Sequence, residues 1–227
     1  MIDFSKIREC RMNLQPFRWA EISNLYSQAD CAVLCETYPH DHFRTIEAYG
    51  GEKDYRYDAR SLIPMGEHTI SHAESLSLPW QQLAKDLLSP EYRAAMSSIT
   101  GLDLTSLPME AHVYHYGRGA LLGPHRDLPE KVVTHVFYFN EKWHPSDGGC
   151  LSILNSADAS DVAALVNPVI GNSAAFVRSD NSWHEVTRVS EQASQSRRSV
   201  TVTFYQPGST SSMWPAGVDL ELHDYAA

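Results

Sequence analysis

Hydrophobic and polar positions follow different periods in the two halves of the chain. In the first half, apolar residues at helical spacing predict a short helix within residues 20–38 and a second helix from Pro79 through Ile99, which Gly101 ends. Between them, residues 40–74 mix short strand-like runs with glycines and charges, which predicts edge strands and loops. The first half therefore predicts helices with supporting strands.

After Pro108 the pattern changes to short runs rich in Val, Tyr, Phe and Thr, separated by turn residues. The runs are MEAHVYHY, KVVTHVFYF, GCLSIL, SAAFVR, HEVTRV and RSVTVTFY. Strands at this spacing, with no helix between them, are typical of an antiparallel sandwich or barrel. We predict a mainly β fold with flanking helices and a β-barrel core.

We predict one domain over residues 1–227, because β-sandwich and barrel folds often reach this length as one unit. Its parts are helices and supporting strands over 1–107, the barrel core over 108–206 and a tail over 207–227. Within the tail, the run VDLELHD predicts one more edge strand.

The net charge of the chain bears on whether it binds nucleic acid. The 227 residues include 18 Lys and Arg against 28 Asp and Glu, which gives a formal net charge of −10. Attraction to phosphates dominates nucleic-acid affinity, and an acidic chain gains little from it. We therefore expect no nucleic-acid partner.

Cysteine usage and the absence of targeting patterns predict a cytoplasmic protein without a membrane partner. No apolar run follows a basic segment at the N-terminus, and no stretch approaches the ~20 apolar residues that span a bilayer. The four cysteines, Cys10, Cys31, Cys35 and Cys150, are expected to be reduced thiols. Cys31 and Cys35 lie in a helix-like stretch, so a buried helical face is favoured over a zinc site.

A candidate metal site lies in the barrel core. His125 and Asp127 follow a Gly-Pro turn and stand two residues apart, so on a strand or at its end both side chains point to the same side. The spacing alone is weak evidence, because roughly one such pair is expected by chance in this composition. His72 and Glu74 form a second such pair, in a loop-rich region where a surface loop is the simpler interpretation.

A third ligand from a distant strand would complete a 2-His-1-carboxylate facial triad, the donor set of non-haem iron(II) oxygenases. Our candidate is His184 in NSWHEVTRV, which follows a predicted strand and a short polar turn. His135, in the middle of a predicted strand, and His144, in a Trp-His-Pro turn, are its competitors. A half-buried histidine at a strand start is the alternative interpretation of His184.

An oxygenase that uses 2-oxoglutarate also needs a deep cation for the distal carboxylate, and arginine offers a planar pair of donors. Arg198 opens the last predicted strand and shares a face with Val200, Val202 and Phe204. We predict that these apolar neighbours place Arg198 inside the barrel and that Arg197 faces outwards. Two solvated charges at a strand start are the alternative.

The segment from Glu110 to Gln206 resembles the prolyl 4-hydroxylase-like branch of the iron(II)/2-oxoglutarate oxygenases. Four blocks match in order, namely YGRGALLGPHRD, THVFYFNEKWHPSDGGCLSIL, NPVIGNSAAFVRSDNSWHEVTRV and RRSVTVTFY. Four ordered motifs are more specific than any one of them. The resemblance implies a double-stranded β-helix core of the jelly-roll or cupin-like kind, with iron(II), 2-oxoglutarate and O2 as metal and cosubstrates.

The resemblance also implies roles for individual residues. The implied iron ligands are His125, Asp127 and His184, and Arg198 would anchor the distal carboxylate. Tyr138 falls where the family often places a tyrosine donor to that carboxylate, and Tyr116 falls where a tyrosine lines the cosubstrate pocket. Family members that halogenate replace the carboxylate ligand with a small residue, so Asp127 favours hydroxylation over halogenation, and desaturation and ring closure stay open as alternatives.

Substrate contacts are harder to predict. His112 and Tyr114, together with Glu110 and Tyr116, occupy every second position of one strand and so share a face with the expected pocket, although a solvated barrel mouth would show the same pattern. Arg126 and Trp183 flank the ligands and are weaker candidates. The charged loop GGEKDYRYDARS is either a lid or, more simply, a solvated surface loop.

We predict an iron(II)- and 2-oxoglutarate-dependent dioxygenase that hydroxylates an unactivated C–H bond. A compact chain without an added recognition domain favours a small molecule, such as an amino acid, a short peptide or a biosynthetic intermediate. The alternatives are a prolyl-type hydroxylase of a protein target and a non-catalytic cupin-like module that binds a metal or small ligand. Repair or demethylation of nucleic acid by the same iron chemistry is a third alternative, which the acidic net charge disfavours.

Overall fold

The computed structural model describes residues 1–211, 213 and 220–225. In this part of the chain the α-helices are α1 (Phe4–Glu9), α2 (Gln28–Glu36), α3 (Leu78–Leu88) and α4 (Pro90–Thr100), and short 3-10 helices span Ala73–Ser75 and Pro145–Asp147. The strands are β1 (Trp19–Ile22), β2 (Arg44–Ala48), β3 (Tyr55–Ile63), β4 (Met109–Tyr116), β5 (Leu121–His125), β6 (Lys131–Tyr138), β7 (Leu151–Leu154), β8 (Val162–Val166), β9 (Ser173–Val177), β10 (His184–Val186) and β11 (Arg197–Tyr205).

The strands form an antiparallel sheet that closes nearly into a barrel. Their order is β1-β9-β6-β11-β4-β3-β5-β10-β7-β8, and β2 pairs with β3 at the side. β11 therefore lies between β4 and β6, and β10 lies between β5 and β7. The predicted fold class, a mainly β barrel-like core of the double-stranded β-helix kind with flanking helices, is confirmed.

The main hydrophobic core lies between the outer face of this sheet and the helices. Trp80 of α3 and Met96 of α4 are fully buried in it, together with Val113 of β4 and with Val202 and Phe204 of β11. Because side chains alternate along a strand, the other face of β4 and β11 points into the barrel. We call that inward space the lumen and the outward, helix-covered face the helix side.

The helix predicted within residues 20–38 is two elements. Its first residues belong to β1, where Ala20 pairs with Ala175 of β9, and the chain then turns through Asn24 at a positive φ of 60°. α2 begins only after Ser27, whose hydroxyl accepts a hydrogen bond from the Asp30 backbone N–H. Pairing with a strand distant in sequence overrides the local helical pattern.

The second predicted helix is also divided, between α3 and α4. Proline disfavours the α conformation for the residue before it, and Ser89 accordingly adopts φ −70° and ψ 148°. Its hydroxyl then caps α4 by accepting from the Tyr92 N–H at 3.2 Å, with Pro90 in the first turn. Gly101 ends α4 as predicted, at φ 67°.

Two further expectations differ from the structure. β3 was expected at an edge, but it lies between β4 and β5, and β2 takes the edge position instead. Of the predicted strand VDLELHD, residues 218–219 lie outside the described residues. The described part pairs only through His223, as an isolated bridge to Phe43.

The four cysteines are free thiols, as expected. Burial raises the pKa of Cys35 to about 11, so this thiol is protonated at neutral pH. No helix in the described part of the chain is both long and apolar enough to cross a bilayer.

Candidate metal centre

Three predicted ligands meet inside the barrel. His125 is the last residue of β5, Asp127 follows two residues later, and His184 begins β10, where it pairs directly with His125. One ligand atom from each of the three lies within 4.8 Å of the others, and all three side chains are buried. It is the one such cluster of His, Cys, Asp or Glu found among the described residues.

The two imidazoles are held in one tautomer. Nδ1 of His125 lies 2.9 Å from the carbonyl oxygen of Gly123, and Nδ1 of His184 lies 3.0 Å from that of Ser182. A carbonyl oxygen only accepts, so each Nδ1 carries the proton and each Nε2 lone pair is free for a metal. Burial lowers the pKa of both rings, which keeps them neutral at pH 7.

Asp127 is held as a carboxylate. Lys131 donates to Oδ1 through Nζ at 2.8 Å, and the Thr134 hydroxyl donates to Oδ2 at 2.7 Å. Burial alone would raise the pKa of Asp127, but Lys131 and the two neighbouring histidines hold it well below its usual range. Two neutral imidazoles and one carboxylate are the donor set that suits iron(II) while leaving other coordination positions open.

The competing histidines do not join this cluster. His72 and Glu74 lie at the surface, with the ring nitrogen 3.9 Å from the carboxylate. His135 is fully buried on the helix side and is hydrogen-bonded through both ring nitrogens. His144 caps the Pro145–Asp147 helix by accepting from the Ser146 N–H.

A cavity of about 120 Å³ adjoins the triad and contains an arginine and tyrosines. Arg197 is 2% exposed, and its guanidinium carbon lies 5.0 Å from the ring centroid of Tyr116 and 5.2 Å from that of Tyr138. Among the described residues, the buried Nε of Arg197 and the buried hydroxyl of Tyr138 have no hydrogen-bond partner. Buried donors without partners are costly, so this end of the cavity suits an anionic group such as a carboxylate.

Our prediction that Arg198 faces the barrel interior was wrong, and Arg197 occupies the lumen instead. Arg198 does share a face with the apolar residues of β11, but that face packs against the helices. The lumen face carries Arg197, Ser199 and Thr201. The prediction assumed that the apolar face of a barrel strand points inward, whereas this lumen is polar and the apolar face is covered by helices.

The Gly-Gly turn before β7 makes room for Arg197. Gly149 has a φ of +65°, and a Cβ there would lie 3.3 Å from Cδ of Arg197 and 3.2 Å from the Trp143 ring. At Gly148 a Cβ would lie 2.0 Å from the carbonyl oxygen of Arg188. A side chain at either position would strain the turn against which the arginine packs.

The other predicted pocket residues separate into two groups. His112 and Tyr114 line a space of about 250 Å³ that continues from the metal cavity, as expected. Arg126 and Trp183 stack on each other at 4.7 Å, and neither lines the metal cavity. Alternation explains this, because the neighbour of an inward-facing ligand points outward.

Two lysines of the site were not predicted. Lys53, in the loop between β2 and β3, lines both parts of the cavity, and burial lowers its pKa to about 8. The loop is tied to the barrel where the Gly123 N–H donates to the carbonyl oxygen of Asp54 at 2.8 Å. Lys131, which donates a hydrogen bond to Asp127, is the second lysine that was not predicted. The charged loop was the only signal for Lys53, and its pattern equally fits a solvated loop.

Comparisons with known proteins agree with this site. The family model of the 2OG-Fe(II) oxygenase superfamily matches residues 111–205, which include the triad and Arg197. A prolyl-4-hydroxylase from Pseudomonas putida is similar in structure, with 23% identity and a TM-score of 0.55 over 83% of this chain and 92% of that chain. A prolyl hydroxylase from Trichoplax adhaerens, in complex with a hypoxia inducible factor oxygen degradation domain peptide, has 14% identity and a TM-score of 0.53 over 82% and 83%.

A third similar structure is a non-haem alpha-ketoglutarate-dependent epimerase from nogalamycin biosynthesis, with 12% identity and a TM-score of 0.51 over 96% of this chain and 93% of that chain. Among curated protein sequences no match was found. At these identities the structures support the fold, while the family match and the triad carry the chemistry. The implied metal is iron(II) and the implied cosubstrate is 2-oxoglutarate, because residues 111–205, which hold the triad, match the model of the 2OG-Fe(II) oxygenase superfamily.

Proposed function

We propose that this oxygenase hydroxylates an unactivated C–H bond of a small molecule of the amino-acid class, such as a free amino acid, a short peptide or a related biosynthetic intermediate. The observation that carries the proposal is the charge pattern of the cavity beyond the triad. Charges of both signs lie there on buried or half-buried side chains, as a small zwitterion would require.

In this proposal the protein binds iron through Nε2 of His125, Nε2 of His184 and the Asp127 carboxylate. Arg197 and Tyr138 hold the distal carboxylate of 2-oxoglutarate, since both have buried donor atoms without partners. When bound, iron(II) with 2-oxoglutarate and oxygen supplies the oxidising chemistry that cleaves the C–H bond. The task of the chain is to position the reactants and to exclude water.

The substrate end of the cavity offers one acid and two lysines. Glu110 is 3% exposed and accepts a hydrogen bond from the Tyr205 hydroxyl. Lys131 is already bound to Asp127, whereas Lys53 has no ion pair among the described residues. A substrate amino group would pair with Glu110, and a substrate carboxylate would pair with Lys53.

Aromatic side chains line the cavity along its length from the metal site to these charges. The rings of Tyr57 and Tyr114 meet edge to face with centroids 5.4 Å apart, and Tyr57 lies at the same distance from Tyr116. Such a wall excludes water around a bound substrate and strengthens the charge pairs that it encloses.

The test is the formation of succinate from 2-oxoglutarate with iron(II) and oxygen. It would be run without further substrate, with a pool of free amino acids and other small metabolites, and with a macromolecular extract. Iron-dependent stimulation by the small-molecule pool is the expected result. An Asp127→Ala variant serves as the control for turnover at the metal.

A second variant tests the substrate end alone. Glu110→Gln keeps the shape of the side chain and removes its charge, so stimulation by the pool should need roughly 10- to 100-fold more substrate, while the unstimulated turnover of 2-oxoglutarate is retained. Unchanged substrate dependence in Glu110→Gln would contradict the assignment of this end of the cavity.

A prolyl-type hydroxylase of a protein target is the second candidate. Its support is the similarity in fold to the two prolyl hydroxylases, one of which was solved with a peptide. Stimulation by the macromolecular extract but not by the small-molecule pool would favour this candidate over the first.

A further inference from the structure

A second cavity, of about 520 Å³, lies on the helix side of β4 and β11. It is bounded by the connection between α2 and β2, by the turn after β4 and by the loop that precedes β11. Arg198 and His115 form its back wall, and their sequence neighbours Arg197 and Tyr116 face the metal cavity. One layer of sheet therefore separates two cavities, each with an arginine of β11.

The lining of this second cavity is basic. It contains two arginines, Arg198 and Arg118, two histidines, His40 and His115, and no Asp or Glu among its described residues. Burial lowers the pKa of His115 to about 3, so this ring is neutral at pH 7, and the positive charge of the lining rests on the arginines. The whole chain carries a net charge of −10, so the local excess of cationic side chains runs against the composition. A concave basic lining attracts small anions and repels cations.

Arg198 lacks a counter-charge in the described part of the chain. To the residues that the structure describes, its guanidinium donates one hydrogen bond, a long one of 3.4 Å from Nη1 to the Cys35 carbonyl oxygen. Its Nε is buried and has no hydrogen-bond partner within the described part of the chain, and its guanidinium carbon lies 5.4 Å from the Tyr38 ring centroid. A half-buried guanidinium with unused donors retains most of its capacity to bind an anion.

The neighbouring polar groups do not occupy the free donors of Arg198. Asp58, on the strand next to β4, accepts from the Thr45 hydroxyl at 2.6 Å and lies 3.3 Å from a ring nitrogen of His223. Arg118 uses Nε to bind the Ala193 carbonyl oxygen at 2.9 Å, which fixes its side chain at the rim with the terminal nitrogens available. The cavity thus has one cation inside and one at its entrance.

We propose that this second cavity binds a small organic anion through a carboxylate or phosphate group held by Arg198 and Arg118. The planar fork of donors in arginine matches both groups. The space exceeds that of a bare ion, and the rings of Tyr38, His115 and Tyr225 supply flat walls for the rest of the molecule. The site is separate from the metal cavity and does not rest on the proposed reaction.

The experiment measures binding of inorganic phosphate and of citrate to the metal-free full chain, by amide NMR shifts or calorimetry. Two adjacent substitutions, Arg198→Gln and Arg197→Gln, form the matched pair, with thermal unfolding as the check on folding. We expect millimolar or tighter binding of at least one probe, weakened 10-fold or more by Arg198→Gln and retained in Arg197→Gln. The probe that binds identifies the group as phosphate or carboxylate.

A second variant covers the case in which Arg198→Gln fails to fold. Ser194 is exposed at the rim of this cavity, so Ser194→Glu adds a negative charge without removing a contact of Arg198. It should also weaken binding 10-fold or more. Failure of wild-type protein to bind either probe, or loss of binding in Arg197→Gln alone, would overturn the proposal, the latter because the anion would then lie in the metal cavity.

Discussion

The two faces of β6 differ in how their buried polar groups are satisfied. On the helix side, His135 is fully buried, and its ring nitrogens are hydrogen-bonded to Tyr92 at 3.0 Å and Ser173 at 2.8 Å. In the lumen, the Tyr138 hydroxyl is buried and has no hydrogen-bond partner among the described residues. The contrast teaches that unsatisfied donors, more than polarity itself, mark the place where a ligand belongs.

The largest expected difference between the faces is in stability. Phe137 is 1% exposed on the helix side, so Phe137→Ala should lower the free energy of unfolding by about 3–5 kcal/mol. Its neighbour Tyr138 has a hydroxyl without a partner, so Tyr138→Phe should change stability by less than about 0.5 kcal/mol in the absence of 2-oxoglutarate. Urea unfolding of both variants measures this, and a large loss in Tyr138→Phe would end the distinction between the faces.

Substitution of the two arginines should show that Arg197, in the lumen, binds the cosubstrate and that Arg198, on the helix side, does not. Arg197→Leu removes charge-assisted hydrogen bonds worth about 1.5–3 kcal/mol, so the KM for 2-oxoglutarate should rise roughly 10- to 150-fold. Arg198→Leu should leave that KM unchanged. The measurement is succinate formation at varied 2-oxoglutarate. A rise in Arg198→Leu alone would restore the assignment that the structure reversed.

Side chains in the lumen also orient the metal ligands through hydrogen bonds. Thr134→Val keeps the shape of the side chain but removes the hydrogen bond to Asp127 Oδ2. Loss of such a partner typically costs 10- to 100-fold in metal affinity. Iron or cobalt titration of the variant should show this loss with little change in unfolding. Unchanged metal affinity would mean that Lys131 alone orients the carboxylate.

The smallest expected effect is the contribution of His135, on the helix side, to the pH dependence of the unfolding free energy. Burial lowers the pKa of His135 to about 3, against about 6.5 in an unfolded chain. Between these values the unfolded state binds a proton that the folded state does not, so stability falls as pH falls from 6.5 toward 3, by about 1.4 kcal/mol per pH unit for this residue. In His135→Gln the slope of unfolding free energy between pH 6 and 4 should be shallower by about that amount. An unchanged slope would mean that His135 titrates normally.

The barrel strands and the triad were predictable because both depend on a period of two. The run MEAHVYHY coincides with β4, and alternation places His125 and Asp127 on one side wherever the strand runs. The division of the second helix was also accessible, since Ser89 precedes a proline, although the apolar spacing continues through it.

Other features depend on contacts between distant parts of the chain. Whether Arg197 or Arg198 enters the lumen is decided by which face of β11 the helices cover, and alternation only says that the two differ. Lys53 reaches the cavity because Asp54 binds Gly123, some 70 residues away in sequence, and no local pattern records that contact. β1 likewise exists because β9 pairs with it.

Because β11 pairs with a neighbouring strand on each side, the deletion of one residue from it would have a large effect. Arg197 stands opposite Tyr116 of β4, and Ser199 stands opposite Tyr138 of β6, so the register is fixed from two directions. Loss of one codon within this strand would send every side chain beyond it to the opposite face. Both cavities would lose their linings in a single event, even though the residue types would be nearly unchanged. Deletion of a single residue from β11 should therefore disturb both cavities more than most single substitutions within it.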